Sequence, residues 1–322
     1  MLERMDDRGS TAPRLLIIFP GALGDLICAA PAMRWLMART PGVAAELVAR
    51  AELARFAIGR LGVVHGHSLD RREVGQLFAA GGRISPAAYA FFGGFAQVRT
   101  FFASADPDFR AALTAVTGMR ASFHPFRPEG PGHSARRYLD AVGAPPATPA
   151  YAALDLYPED FAAATARLAS VGLEDGEYVV IFPGSGGREK NWPAENFVAL
   201  AERIAPPLRP LVILGPAETT LEAVFAARSL PILTNLELAE VAAIAHKAAG
   251  FVGNDSGVVH LAAAAGAPGV AIFGPTDPAR WRPQGPVAII RRVPLAMTTV
   301  AEVMDRLLEA IAGHSSMRAA DG

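Results

Sequence analysis

Three loops gather residues whose types and spacing suit work on a phosphorylated ligand. The first, Phe19-Pro-Gly-Ala-Leu-Gly-Asp25, follows an apolar run and opens a helical pattern. Its glycines Gly21 and Gly24 let the backbone turn sharply and approach a ligand closely. Asp25 then falls near a helix N-terminus, where the dipole favours a carboxylate. Taken alone, this turn fits a helix cap and a reacting carboxylate equally well. It lacks the full G-x-G-x-x-G fingerprint and an acidic residue after the second strand, which argues against a nicotinamide dinucleotide.

The second loop, Phe182-Pro-Gly-Ser-Gly-Gly-Arg-Glu-Lys-Asn-Trp-Pro193, also runs from a strand into a helix. Gly184, Ser185, Gly186 and Gly187 offer backbone N–H groups and a hydroxyl to an anion, and Arg188 and Lys190 add positive charge. Incidental charges on an exposed loop are the plainer alternative. Glycines, a hydroxyl and two cations at the carboxyl end of a strand favour anion binding. The third loop is Gly253-Asn-Asp-Ser-Gly-Val-Val-His260. Asp255 and Ser256 read as N-caps. The same geometry would aim the N–H groups of Ser256, Gly257 and Val258 at a phosphate. His260 lies one turn inside the helix, where a satisfied core residue and a hydrogen-bond donor are equally open.

The elements that must hold these loops alternate between strand and helix. Arg14–Phe19 is predicted as a strand and Asp25–Arg39 as a helix. Strands at Glu46–Ala49 and Gly62–His65 flank a helix at Glu52–Gly59. A strand at Ala96–Phe102 and a helix near Phe109–Val116 follow. A Pro-, Gly- and Arg-rich stretch, Pro125–Pro149, carries one short helix around Ser134–Val142 and ends in a linker, Gly143–Pro149. The second half reads more sharply. Strands are predicted at Tyr178–Phe182, Leu211–Leu214, Ile232–Leu233, Phe251–Gly253, Val270–Phe273 and Val287–Ile290. Helices are predicted at Ala194–Ile204, Glu218–Ser229, Leu236–Ala249, Val258–Ala265 and Val300–Ala312. Buried β-branched strands alternating with helices mean a parallel sheet covered on both faces. The expected architecture is α/β, with two Rossmann-like doubly wound domains facing each other across a cleft. Residues 1–150 form the first and 151–322 the second.

Bulk properties remove several classes of function. The chain has 322 residues, 30 Lys and Arg against 31 Asp and Glu, and a formal net charge of −1. A nucleic-acid-binding domain would carry a basic excess, so no nucleic-acid partner is expected. Cys28 is the only cysteine, which leaves no intramolecular disulfide and no thiolate metal cluster. The start, Met1 to Arg14, is polar and unlike a signal peptide. No apolar run is long enough to span a bilayer, so a cytoplasmic protein is expected. Only Lys190 and Lys247 are lysines, which singles out a lysine inside a glycine-rich loop.

Together the three loops resemble the ADP-heptose–lipopolysaccharide heptosyltransferases, glycosyltransferase family nine, of GT-B fold. The resemblance rests on Ala22-Leu-Gly-Asp25 through Pro31-Ala32 and on Pro183-Gly-Ser through Lys190-Asn-Trp-Pro193. It continues in Asp255-Ser-Gly-Val-Val-His260-Leu261 and Phe273-Gly-Pro-Thr-Asp-Pro278. It is strong across Tyr178–Pro283, fair over Leu15–Leu47 and poor from about Leu53 to Gly132. The aspartate-glutamine-glycine segment of the acceptor side is missing there.

The resemblance implies an inverting transfer of a sugar, heptose from ADP-heptose, to a hydroxyl of a glycan or glycolipid such as lipopolysaccharide core. It makes Asp25 the general base, with Gly24 beside it. It gives Ser185, Lys190, Ser256 and Gly257 to the diphosphate, beside Gly184 and Arg188 of the same anion-binding loop, Asp255 to the sugar hydroxyls and His260 to the phosphates or the loop. It implies no metal and no cofactor. Asp106-Pro-Asp108 spells D-x-D, but reads as a helix start with Pro107 in the first turn. A peripheral contact with the cytoplasmic face of the inner membrane is compatible with this reading. A nucleotide-sugar 2-epimerase and a non-catalytic nucleotide-sugar-binding protein share the expected fold and stand as alternatives.

Overall fold

A computed structural model describes residues 13–78 and 84–320, with side chains as far as Ser316. The polar start lies outside them up to residue 12. Contacts divide the chain into two compact units. The first holds the residues up to Pro20 together with Met33–Phe126. The second holds Gly21–Ala32 together with everything from Arg127 onward.

The first unit is a parallel sheet of β1 (Arg14–Ile18), β2 (Ala44–Ala49), β3 (His65–Ser68), β4 (Gln97–Thr100) and β5 (Ala121–Phe123), in the order β3-β2-β1-β4-β5. Leu16, Ile18, Val48 and Val98 pack with Phe92, Phe95, Phe109 and Leu113, the helices of Phe92 and of Phe109 and Leu113 covering that face. One polar group crosses three strands. Glu46 on β2, almost fully buried, accepts from Arg14 on β1 at 2.9 Å and pairs with His67 on β3 at 2.6 Å. Burial pushes the Glu46 carboxyl upward, but the His67 hydrogen bond and the His67 and Arg14 charges outweigh it, and the net shift is downward. This pairing fixes a register that the third strand's own sequence does not announce. Strand β3 is His65–Ser68 rather than the predicted Gly62–His65. Gly59 and Gly62 take left-handed φ values of 74° and 78°, so the chain is still turning where the apolar Gly-Val-Val suggested a strand.

The second unit is the clearer one. Strands β6 (Tyr178–Phe182), β7 (Arg209–Leu214), β8 (Ile232–Thr234), β9 (Gly250–Asn254), β10 (Gly269–Phe273) and β11 (Val287–Arg291) are all parallel, in the order β11-β10-β9-β6-β7-β8. Alternate residues serve opposite faces. Val179 and Ile181 of β6 pack with Phe197, Leu200, Val303 and Leu307 on one side. On the other side the Tyr178 hydroxyl donates to the Ile244 carbonyl at 2.6 Å, within the helix Leu238–Lys247. Helices thus cover both faces, as a parallel sheet requires.

Helix boundaries differ from expectation in a few places. The predicted helix Glu218–Ser229 is a 3₁₀ turn, Pro216–Leu221, followed by a short α-helix, Glu222–Ala226. Ser229 ends that stretch in left-handed φ, at 53°. The last helix runs from Val300 to Ala320, past the expected Ala312. The helix at the first loop begins at Leu23, so Asp25 lies inside its first turn and is not its cap residue.

Candidate active site

In the second sheet the strand order reverses between β6 and β9, and the loops after those strands part there. Doubly wound sheets leave their ligand crevice at that point. Gly186 and Lys190 after β6, with Asp255, Ser256 and Gly257 after β9, line a cavity of about 320 Å³. Ala22, Gly24 and Asp25 line the same cavity.

Two helix N-termini therefore open onto one space, those of Leu23–Ala38 and Gly257–Ala264. Each carries unsatisfied N–H groups and partial positive charge, so together they favour an anion. Glycine allows the approach. A Cβ on Gly257 would lie 2.9 Å from Leu23 Cβ and 3.1 Å from the Gly24 backbone nitrogen. Ser256 occupies the N-cap position of the second helix, yet its side chain makes no capping bond. Its buried hydroxyl has no hydrogen-bond partner among the described residues.

Asn254 braces the two loops. It is fully buried, accepts from the Trp192 N–H at 2.9 Å and donates to the Pro183 carbonyl at 2.7 Å. Lys190 sits in a single 3₁₀ turn, and its Nζ donates to Asp255 Oδ2 at 3.0 Å. His260 is buried, with Nδ1 3.8 Å from Cys28 Sγ. Burial pushes the imidazole down to about 4, against the pull of Asp255 and Asp25 and of a hydrogen bond with the Trp281 backbone. At neutral pH it offers one N–H and no charge. The Cys28 thiol is pushed up to about 12, first by burial and then by Asp25 and Asp255, which makes it inert.

Asp25 is 4 % exposed. Its Oδ2 accepts from the Ala22 N–H at 3.2 Å, closing the first turn of its helix. Arg127 then grips both carboxylate oxygens, Nε to Oδ1 and Nη2 to Oδ2, each at 2.9 Å. Asp25 itself holds the Arg127 guanidinium above its ordinary value. Sequence reading did not single out Arg127. The pair spans 102 positions, and its only local sign is an Arg within a Pro- and Gly-rich stretch.

The structure thus brings Gly24, Asp25, Lys190, Asp255, Ser256, Gly257 and His260 to one cavity. It does not bring Gly184, Ser185 and Arg188 there. The Cβ position of Gly184 is filled by the Glu218 carboxylate, which also accepts from the Gly215 N–H at 2.9 Å. Ser185 spends its hydroxyl on its own turn, donating to the Gly187 carbonyl at 2.8 Å. Arg188 is exposed. Of the D-x-D pair, Asp106 caps the helix Pro107–Thr117 by accepting from the Phe109 N–H at 2.8 Å. Among the described residues no three His, Cys, Asp or Glu side chains gather as a metal site, and no helix is long and apolar enough to cross a membrane.

Residues 137–307, more than half of the chain, match the profile of glycosyltransferase family 9 (heptosyltransferase). No curated protein sequence matches. Among solved structures, E. coli ADP-heptose lps heptosyltransferase II is 16 % identical at a TM-score of 0.74, covering 94 % of this chain and 99 % of its own. A family 9 glycosyltransferase from Veillonella parvula is 18 % identical at 0.73, with 94 % and 97 % covered. E. coli heptosyltransferase WaaC with ADP is 20 % identical at 0.64, with 92 % and 99 % covered. At these identities the likeness is one of fold, and it extends over both α/β units.

Proposed function

Because the chain belongs to glycosyltransferase family 9, it is a glycosyltransferase, and we propose that it transfers heptose from ADP-heptose to a hydroxyl of a glycan or glycolipid, such as lipopolysaccharide core. One observation carries the chemical part of this reading. A buried carboxylate, Asp25, faces the same cavity as a lysine, an unpartnered serine hydroxyl and two helix N-termini. A base and an anion cradle in one space are what a displacement at a sugar phosphate needs.

In this reading the diphosphate rests on the N–H groups at Ser256 and Gly257, with the Ser256 hydroxyl and the Lys190 ammonium against its oxygens. Asp255 turns to the sugar hydroxyls, and neutral His260, hydrogen-bonded to the Trp281 backbone, supports the loop without adding charge. Asp25 takes the proton of the acceptor hydroxyl as its oxygen attacks the anomeric carbon. The bond to the phosphate oxygen breaks on the opposite face, so the centre inverts and ADP leaves. Fixed donors and Lys190 stabilise the charge that grows on the leaving group, without a metal ion. The donor-binding body is the second unit, which takes in Gly21–Ala32 and resumes at Arg127, ahead of the boundary at residue 151. The acceptor falls to the first. ADP in the WaaC relative supports the choice of donor base. The reaction is assigned to the cytoplasm, at the inner face of the membrane that holds a glycolipid acceptor.

A thermal-shift panel of nucleoside diphosphates tests the donor. A ligand at about 100 times its Kd stabilises by roughly 2.7 kcal/mol, so ADP and ADP-heptose should raise the unfolding temperature where UDP and GDP do not. Acceptor-dependent release of ADP from ADP-heptose then tests the transfer. Preference for another nucleotide overturns the donor assignment, and donor turnover that ignores every glycan acceptor overturns the transferase reading.

A further inference from the structure

The grip of Arg127 on Asp25 is built with more care than a surface ion pair needs. Arg127 has φ of 51°, in the left-handed region that a residue with a side chain seldom visits, and it directly precedes Pro128. Such strain persists only where the surroundings over-determine it. Here three side chains hold the backbone. The Arg127 N–H donates to the Tyr138 hydroxyl at 3.4 Å. The Pro128 carbonyl accepts from Arg137 Nε at 2.6 Å and from Arg280 Nη2 at 3.4 Å. The guanidinium itself lies 5.7 Å from the ring centroid of Trp281.

The two oxygens of Asp25 are not equivalent under this grip. Among the described residues Oδ2 accepts from both Arg127 Nη2 and Ala22 N, whereas Oδ1 accepts from Arg127 Nε alone. A carboxylate oxygen has two lone pairs, so Oδ1 keeps one to receive a proton. We propose that Arg127 is a positioning residue that locks the Asp25 carboxylate in one orientation, with Oδ1 presented as the proton-accepting atom. This inference rests on the reading of Asp25 as the base.

The test is steady-state transfer by Arg127→Ala, Arg127→Lys, Asp25→Asn and the double variant Asp25→Asn/Arg127→Ala. In Arg127→Ala, kcat falls on the order of 10²-fold while donor KM stays within about threefold, because a misplaced base costs rate rather than binding. Added guanidinium at non-denaturing concentration restores part of that rate. Arg127→Lys falls between wild type and Ala, since lysine keeps the charge and loses the two-pronged grip. The double variant is no slower than Asp25→Asn alone, because Arg127 works only through Asp25. A kcat near wild type in Arg127→Ala overturns the proposal. So does a loss confined to donor KM, or additive losses in the double variant. If the Ala variant does not fold, a wild-type kcat in Arg127→Lys overturns it equally. An active Asp25→Asn would instead strike the base assignment itself, which separates the two failures.

Discussion

At neutral pH His260 is uncharged, and its burial makes that state part of the fold's stability. Its folded value of about 4 lies below the ordinary 6.5, so the unfolded chain binds a proton in that window and the folded chain does not. The contribution is complete above about pH 6.5 and drains away as pH falls towards 4, about 3 kcal/mol in all. The stability advantage of wild type over His260→Gln should therefore shrink between pH 7 and pH 4.5 in urea unfolding. Parallel profiles for the two proteins would show that His260 does not titrate this way. Lys190 makes the complementary case for charge. Its ammonium is the cation of the β6 loop that lines the cavity, and Lys190→Ala should lower turnover on the order of 10²–10³-fold. Transfer at the wild-type rate would remove it from the leaving-group site. Both residues were legible in the sequence because Lys190 lies in a glycine-rich loop after a strand and His260 lies one turn in from Ser256 at a helix mouth. Arg127 was not, since an ion pair formed across 102 positions has no local pattern. Gly184, Ser185 and Arg188 share the Lys190 loop but face elsewhere, because composition marks a loop without saying which of its atoms turn inward.

Strands β6 and β10 are buried along their whole length and appear as apolar runs, whereas β9, equally buried, carries two glycines and Asn254. Strand β3 had no such run. It sits at the edge of the first sheet, is mostly polar, and takes its register from the Glu46 pairing. Helix starts were less legible than strands, because the cap is settled by packing. The Leu23 helix begins ahead of Asp25 so that its N-terminus can lie against Gly257. That contact is itself testable. Gly257→Ala places a methyl group against the Leu23 side chain and the Gly24 backbone, an overpacking that should cost about 1–3 kcal/mol. Calorimetry should also show weaker ADP binding, since the two helix ends would be forced apart. A variant with unchanged stability and unchanged ADP affinity would mean that the convergence of the two helices does not matter.

The orders 3-2-1-4-5-6 of the second sheet and 3-2-1-4-5 of the first are set by which strands pair, whereas the doubly wound α/β architecture was readable from alternating strand and helix. The assignment of segments to units was not, because it depends on contacts. Gly21–Ala32 belongs with the second unit although it directly follows β1. That placement brings a carboxylate from the start of the chain to an anion cradle made near its end. On the proposed reading, in which Lys190 and N–H donors serve the leaving group, turnover should be unchanged by EDTA. Loss of activity that Mg²⁺ restores would return Asp106 and Asp108 to consideration. In the proposed mechanism Asp25 acts as a base on a donor held by other residues. That role is tested most directly by measuring sugar transfer and ADP binding on the same folded Asp25→Asn protein. ADP affinity should stay within a fewfold of wild type while transfer falls on the order of 10²–10⁴-fold. Transfer that survives near the wild-type rate would contradict it, and would leave Asp25 as the residue that only closes the first turn of its helix.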